Sequence, residues 1–200
     1  QIQFAQGTAL LAFLGSHTGE MATIPAGGPA AGTGDVMASF SSRGGPGQSL
    51  GWSKPDVTAP GVQILAGHTP LSADPDTGPQ GELFQAIAGT SMSSPHNAGA
   101  AALLMDLHPG WTPGQVKSAL MTTATEAVLK EDGVTPANAY DDGSGRIDLN
   151  VAGDPGVTFS ATGAQFAAAE GNLGAQQNLN LPAIYLNPFP GEVTVRKTAL

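Results

Sequence analysis

The run SMSSPHNAGAAALLMDL, Ser91 to Leu107, has few ways to fold. Ala98, Ala100, Ala101, Ala102, Leu103, Leu104, Met105 and Leu107 leave no broad polar face, and a helix that is apolar nearly all round belongs inside a larger body. Its small residues would let the backbone lie close to a sheet. Pro95 is expected in the first turn, where a missing N–H costs little. His108-Pro109-Gly110 ends the run. A second helix starts at once, with Thr112 as N-cap, Pro113 at the first helical position and Gln115 completing a T-x-x-Q capping box. Val116, Ala119, Leu120 and Thr123 give its inner face.

The flanking sequence reads as short strands between loops. FAQGTALLAFL and GEMATIPA are either strands or a helix plus a strand, which period alone does not separate. Pro25 to Gly34 is a loop by composition. VMASFSSRGGPG begins as a short strand and turns at Gly44, Gly45, Pro46 and Gly47. KPDVTAPGVQILAGHTP reads as strand, Pro-Gly turn, strand, and Val57, Thr58, Val62, Ile64 and Leu65 suit a buried parallel strand. Leu71 to Glu82 is a loop, and Leu83 to Ala88 is a strand ending at Gly89. After Ala127 the chain is loop-like, with Ile147 and Leu149 as anchors. From about Val157 the alternation is β-like, and GEVTVRKTA reads as one strand of a new sheet. There is no internal repeat.

Composition narrows the function. The chain has 40% hydrophobic residues, enough for a core, and its 28 Gly and 16 Pro imply many loops. A net charge of -9, with only seven Lys plus Arg and no basic cluster, argues against nucleic acid as a partner. The absence of cysteine removes disulfides, thiol catalysis and Cys-ligated zinc together. No apolar run reaches the ~18 residues that a membrane span needs. No signal peptide is visible, and the chain starts at Gln1. Both ends read as cut.

A strand, a Gly89-Thr90 turn and then a helix place Ser91 where free helical N–H groups and the helix dipole favour negative charge. A serine hydroxyl needs a base within ~3 Å to take its proton and donors to hold the oxyanion. The Ser91 N–H could be one such donor. The G-x-S-x-G elbow does not fit, because Ser93 stands at its second glycine. No G-K-[ST] phosphate loop is present. Alone, Gly-Thr-Ser is compatible with an ordinary N-cap serine.

The longer words go further. GTSMSSPH followed by AGAAALL resembles the serine motif of the subtilases, the subtilisin-like serine endopeptidases. SFSSRG, KPDVTAPGVQILA, HPGWTPGQVKSALMTTA and GSGRIDLNVAGDPG are similar to the same family, in its order. The wording is closest to the secreted branch with a protease-associated (PA) insert and a fibronectin-III-like domain, whose opening LNLPAIYLNPFPGEVTVRKTA resembles. The resemblance implies an α/β fold, the C-terminal part of a doubly wound, mostly parallel sheet over residues 1–156, with 157–200 a linker and the start of the β-sandwich. It implies Ser91 as nucleophile, with Gly89, Thr90, Met92 and Pro95 as motif support. It also implies a secreted enzyme acting on protein or peptide, a possible inhibitory propeptide, and no cofactor beyond a possible structural calcium with no site visible here. Departures are Asn97 where the family has an apolar residue, Ala88 where serine is common, and an extra glycine between Arg43 and Pro46.

By the same resemblance the triad Asp and His precede the serine, and the oxyanion asparagine lies upstream of it. No Asn occurs before Ser91. His17 and His68 lack the family's histidine context. Asp35, Asp56 and Asp74 are the other carboxylates considered, and Asp76, in a D-T-G echo, reads as a turn residue. These 200 residues alone are therefore expected to be inactive. Among the rest, His96 is read as a packed helical histidine, Met92 as facing either the core or the acyl site, and Asp56 as a turn residue. Asp141, Asp142 and Asp148 are read as turn caps rather than a metal cluster, and Arg43 as a structural clamp on a carboxylate.

Overall fold

The computed structural model describes residues 4–19, 21, 32–45, 51–71, 80–186, 189 and 191–200. The chain divides into two compact units, Gln1–Gly32 and Thr33–Leu200. The first carries helix α1, Phe4–Ser16, so FAQGTALLAFL is helix, not strand. Its end is sealed locally. Ser16 Oγ donates to the Phe13 carbonyl at 3.1 Å, the His17 Nδ1–H donates to the same oxygen at 2.8 Å, and the His17 ring stacks on Phe13.

The second unit is α/β in class. Strands β1, Ile64–Gly67, and β2, Phe84–Ile87, pair antiparallel, with Ile64 opposite Ile87 and Gly67 opposite Phe84. The sequence suggested a buried parallel strand here. β1 is instead antiparallel and largely open, with Leu65 71% exposed. Parallel pairing survives as single bridges, Val36 with Leu129 and Thr58 with Arg146. The β-branched residues of KPDVTAPG thus pair for one residue, and Pro55 and Pro60 on either side lack the N–H that a longer ladder requires.

Helix α2 runs Thr90–Leu107 and α3 runs Pro113–Thr122. Their packing forms the core: Ala100, Leu104, Val116, Ala119, Leu120, Ile147 and Ala152, with Val57, Ala59, Ala101 and Trp111 against them. α2 is covered on one side only, since Leu103 and Leu107 are each 62% exposed. The expectation of burial all round is corrected to a single buried stripe at Ala100 and Leu104, the i, i+4 spacing of one helix face. Ile147 anchors the core as expected, but Leu149 stays exposed.

α3 begins as its sequence dictates. Thr112 Oγ1 accepts the Gln115 N–H at 3.3 Å, and Gln115 Oε1 accepts the Thr112 N–H at 3.0 Å. Further on, Gly145 has φ 108° and lies so close to Thr125 that a Cβ there would sit 2.1 Å from its carbonyl oxygen. Only glycine fits the last position of the G-S-G word.

After residue 157 two short helices appear, α4 at Gly163–Ala169 and α5 at Leu173–Asn178, where the sequence showed only a linker and β-like alternation. α4 repeats the capping box with Thr162 and Gln165, a T-x-x-Q signal hidden by the glycine and alanines around it. This stretch is tied back to α3: the Phe159 N–H donates to Ser118 Oγ at 2.9 Å, and Thr112 Oγ1 lies 2.9 Å from Ser160 Oγ. The final run GEVTVRKTA, expected as a strand, forms none. Thr158 and Leu200 exchange backbone hydrogen bonds at 3.1 and 2.9 Å, and the Asn180 amide pairs twice with the Thr198 backbone.

Thr112 therefore both caps α3 and joins it to residue 160. Thr112→Ala is expected to lower stability by about 1 kcal/mol, seen as a lower urea midpoint with unchanged slope; an unchanged midpoint would refute the role of the cap.

Candidate active site

Ser91 is the second residue of α2, and its side chain is exposed. The preceding Gly89 is extended and offers no side-chain cap. Its carbonyl accepts the Met92 N–H at 3.0 Å and the Ser93 N–H at 3.4 Å. The N–H groups of Thr90 and Ser91 precede that first helical bond. Such N–H groups, at the positive end of an 18-residue helix, favour an anion beside them.

Pro95 lies in the second turn, not the first, because the helix starts as early as Thr90. With no N–H on Pro95, the Ser91 carbonyl lacks its i+4 donor. The Met92 side chain folds back toward Gly89, its Sδ only 3.5 Å from where a Cβ on that glycine would be. Met92 is half-buried there, so this contact keeps it beside the turn that carries Ser91.

The other candidates lie elsewhere. Asp35 takes Arg146 Nε at 2.5 Å. Asp56 is held between Lys54 and Lys117, the latter at 2.7 Å. His68 Nδ1–H donates to the Glu82 carbonyl at 3.0 Å beside the β ribbon. His17 is engaged on α1. Asp74 and Asp76 fall outside the described residues. Among the described residues no histidine or carboxylate makes a hydrogen bond to the Ser91 hydroxyl. His96 is exposed, not packed. One turn on from Met92, its Nδ1–H donates to the Met92 carbonyl at 2.8 Å, a bond that needs no burial.

Arg43 is a clamp, as its setting in SSRGG suggested. Its Nε meets Asp141 Oδ1 at 3.0 Å, and its Nη1–H donates to the Ser41 carbonyl at 2.9 Å. Nη2 lies 3.0 Å from Glu131 Oε1 without the alignment of a hydrogen bond, so that contact is an ion pair only. Asp141 also accepts the Asn138 N–H at 3.0 Å, and Asp148 accepts the Asn150 N–H at 3.0 Å, both turn-capping bonds. Among the described residues no three His, Cys, Asp or Glu side chains converge as a metal site.

Sequence reading missed Gly61. The Gly89 N–H donates to the Gly61 carbonyl at 2.8 Å, which seats the start of α2 on the A-P-G turn. A cavity of about 480 Å³ opens beside this contact, lined by Phe40, Ser41, Gly61, Val62, Thr90 and Ser93 among others. The only sequence signal was a glycine in a turn, which carries no chemistry of its own.

Residues 29–153 match the Subtilase family, Peptidase_S8. This chain belongs to the subtilases. It is 39% identical to Subtilisin-like protease SBT1.6 of Arabidopsis thaliana over 171 residues, covering 78% of this chain and 22% of that protein. It is 45% identical to Subtilisin-like protease SBT1.3 of Arabidopsis thaliana over 134 residues, covering 62% and 17%. Subtilisin-like protease SBT3 of Solanum lycopersicum is 42% identical over 136 residues, covering 64% and 18%. The chain thus spans about a fifth of the length of the curated relatives it matches. Among the described residues no helix of this subtilase chain is long and apolar enough to cross a membrane.

The adjacent carboxylates Asp141 and Asp142 respond oppositely to pH. Burial works to raise Asp141, but the Asn138 N–H, Lys130 and Arg43 outweigh it and hold it below the ordinary 3.8. Burial first, then the charges of Asp141 and Glu126, push Asp142 above 3.8. Asp141 therefore stabilises the fold above pH 3.8 and loses that contribution as pH falls through its depressed value. Asp142 favours the fold when protonated and penalises it as pH rises through its raised value. Asp142→Asn should raise the melting temperature at pH 7. Asp141→Asn should lower stability by roughly 1–3 kcal/mol at that pH by leaving the half-buried Arg43 and Lys130 without their carboxylate. Both differences should shrink by pH 3, and the reverse order at pH 7 would refute the assignment.

Proposed function

We propose that Ser91 is the nucleophile of a serine endopeptidase whose triad His and Asp, and oxyanion Asn, lie outside these 200 residues. The observation that carries this reading is Ser91 exposed in the first turn of an uncapped helix, within the word GTSMSSPH. The Ser91 Oγ attacks the scissile carbonyl carbon while a histidine takes its proton. The Ser91 N–H donates to the oxyanion, and the amine leaves carrying the proton that the histidine returns. Water then hydrolyses the acyl-enzyme by the same acid–base route. Side chains and water supply every step. The substrates are proteins or peptides outside the cell, an inhibitory propeptide occupies the cleft before maturation, and no nucleic acid or membrane span takes part. The parent protein carries the PA insert and a doubly wound, mostly parallel catalytic sheet. Residues 157–200 link to the opening of a fibronectin-III-like domain.

A second reading is a non-catalytic pseudo-peptidase that binds peptide or an inhibitory partner. It is favoured by the absence, among the described residues, of any histidine bonded to the Ser91 hydroxyl.

A fluorophosphonate probe separates the two. In the full-length protein the adduct should map by mass spectrometry to the peptide containing Ser91, and Ser91→Ala should abolish both label and peptide hydrolysis. The 200-residue chain alone should remain unlabelled and hydrolyse at background rate, since loss of the histidine alone removes most of the rate. A full-length protein that binds peptide, takes no label and hydrolyses nothing would be the pseudo-peptidase. Steady hydrolysis by the 200-residue chain would overturn the placement of the missing groups.

A further inference from the structure

We propose that Gly61 is a positioning residue for catalysis: its bare α-carbon and its carbonyl together fix the turn that aims Ser91. The inference rests on the assignment of Ser91 as nucleophile. With no side-chain cap at the start of α2, the Gly89 carbonyl, acceptor for both Met92 and Ser93, sets where the first turn sits. The Gly89 N–H is in turn tied to the Gly61 carbonyl at 2.8 Å.

The two strands converge on this contact out of register. Two residues, Val62 and Gln63, lie between Gly61 and Ile64, but only one, Ala88, lies between Ile87 and Gly89. The surplus residue falls where Gln63 adopts φ 54°, a left-handed conformation that bends the strand as a bulge does. The bend brings Gly61 face to face with the helix start. A Cβ on Gly61 would lie 2.9 Å from the Gly89 carbonyl oxygen and 3.2 Å from Ser93 Cβ. The first distance is too short for real atoms, so one side must yield.

Gly61 is tethered on its N-terminal side. Just before it, Thr58 is held on both faces, its N–H to the Gly145 carbonyl at 2.9 Å and its carbonyl to the Ile147 N–H at 3.0 Å. The displacement therefore passes to the Gly89 carbonyl, and from there to the Met92 and Ser93 N–H groups in the two peptide units that follow Ser91. Misplacing the nucleophile is felt in the transition state, so the effect is expected in kcat more than in KM.

The test is Gly61→Ala in the full-length protein. A 1 Å misplacement costs about 100-fold, so a shift of a few tenths should lower kcat roughly 3- to 30-fold with KM within about twofold. Active-site titration expresses kcat per folded, labelled enzyme. Hydrogen exchange should quicken in the peptide spanning residues 84–95. Gly99→Ala, on α2 with nothing within 4 Å of the added carbon, should leave both readouts unchanged. If Gly61→Ala does not accumulate, Gly61→Ala with Ser93→Gly removes the 3.2 Å contact and keeps the carbonyl clash. It should fold and retain the low kcat; wild-type kcat in that double variant would overturn the proposal. Unchanged kcat and exchange in Gly61→Ala would overturn it equally. If the wild-type protein hydrolyses nothing, the nucleophile assignment fails, while the exchange readout still decides whether Gly61 holds the turn.

Discussion

Arg146 is the crossing point on which the second unit depends. Its backbone exchanges two hydrogen bonds with Thr125, at 2.8 and 3.0 Å, while the residues on either side of it bond Thr58. Its guanidinium reaches Asp35, whose own carbonyl accepts the Leu129 N–H at 2.8 Å. Four stretches far apart in sequence are thus pinned at one residue, by backbone groups that would cost free energy if buried unpaired. From this crossing the chain leads through Thr58 to Gly61, from Gly61 to Gly89, and so to the start of α2. The placement of Ser91 is inherited, bond by bond, from a pairing around residue 146.

Helix boundaries set by local chemistry were readable in advance. Thr112, Pro113 and Gln115 carry their own instruction, and the structure follows it. The same T-x-x-Q signal at Thr162 is hidden by the glycine and alanines around it. Readings that needed long-range information fared worse. Val57 and Thr58 are β-formers, yet prolines on both sides confine the pairing to one bridge. An apolar composition said that α2 would be covered, but of its residues only Ala100 and Leu104 are buried. Composition reports what a residue tolerates, and only the packed neighbours decide what it receives.

The candidate site stood out by its motif and not by its support. Ser91, Gly89 and Met92 stand out because a word of eight residues is specific. Gly61 does not, because its contribution is the absence of an atom, and an absence becomes meaningful only when another backbone lies against it. Histidines and aspartates scattered before Ser91 drew attention by type alone. The structure gives Asp35 to Arg146, Asp56 to two lysines and His68 to a backbone carbonyl, each engaged by a partner other than Ser91.

The uncovered side of α2 has a colloidal consequence. Leu103 and Leu107 face outward on a chain whose net charge is -9. Two copies approaching in dilute buffer repel over a distance longer than the contact they would make, because charge is felt across about 30 Å at 0.01 M salt. At physiological ionic strength that reach shrinks to about 8 Å, which weakens the repulsion opposing contact between the leucines. Sulfate strengthens the attraction further by favouring burial of apolar surface. The same leucines that make α2 suited to the interior of a larger body therefore set the salt concentration at which this stretch, handled alone, stops being a solution of single chains.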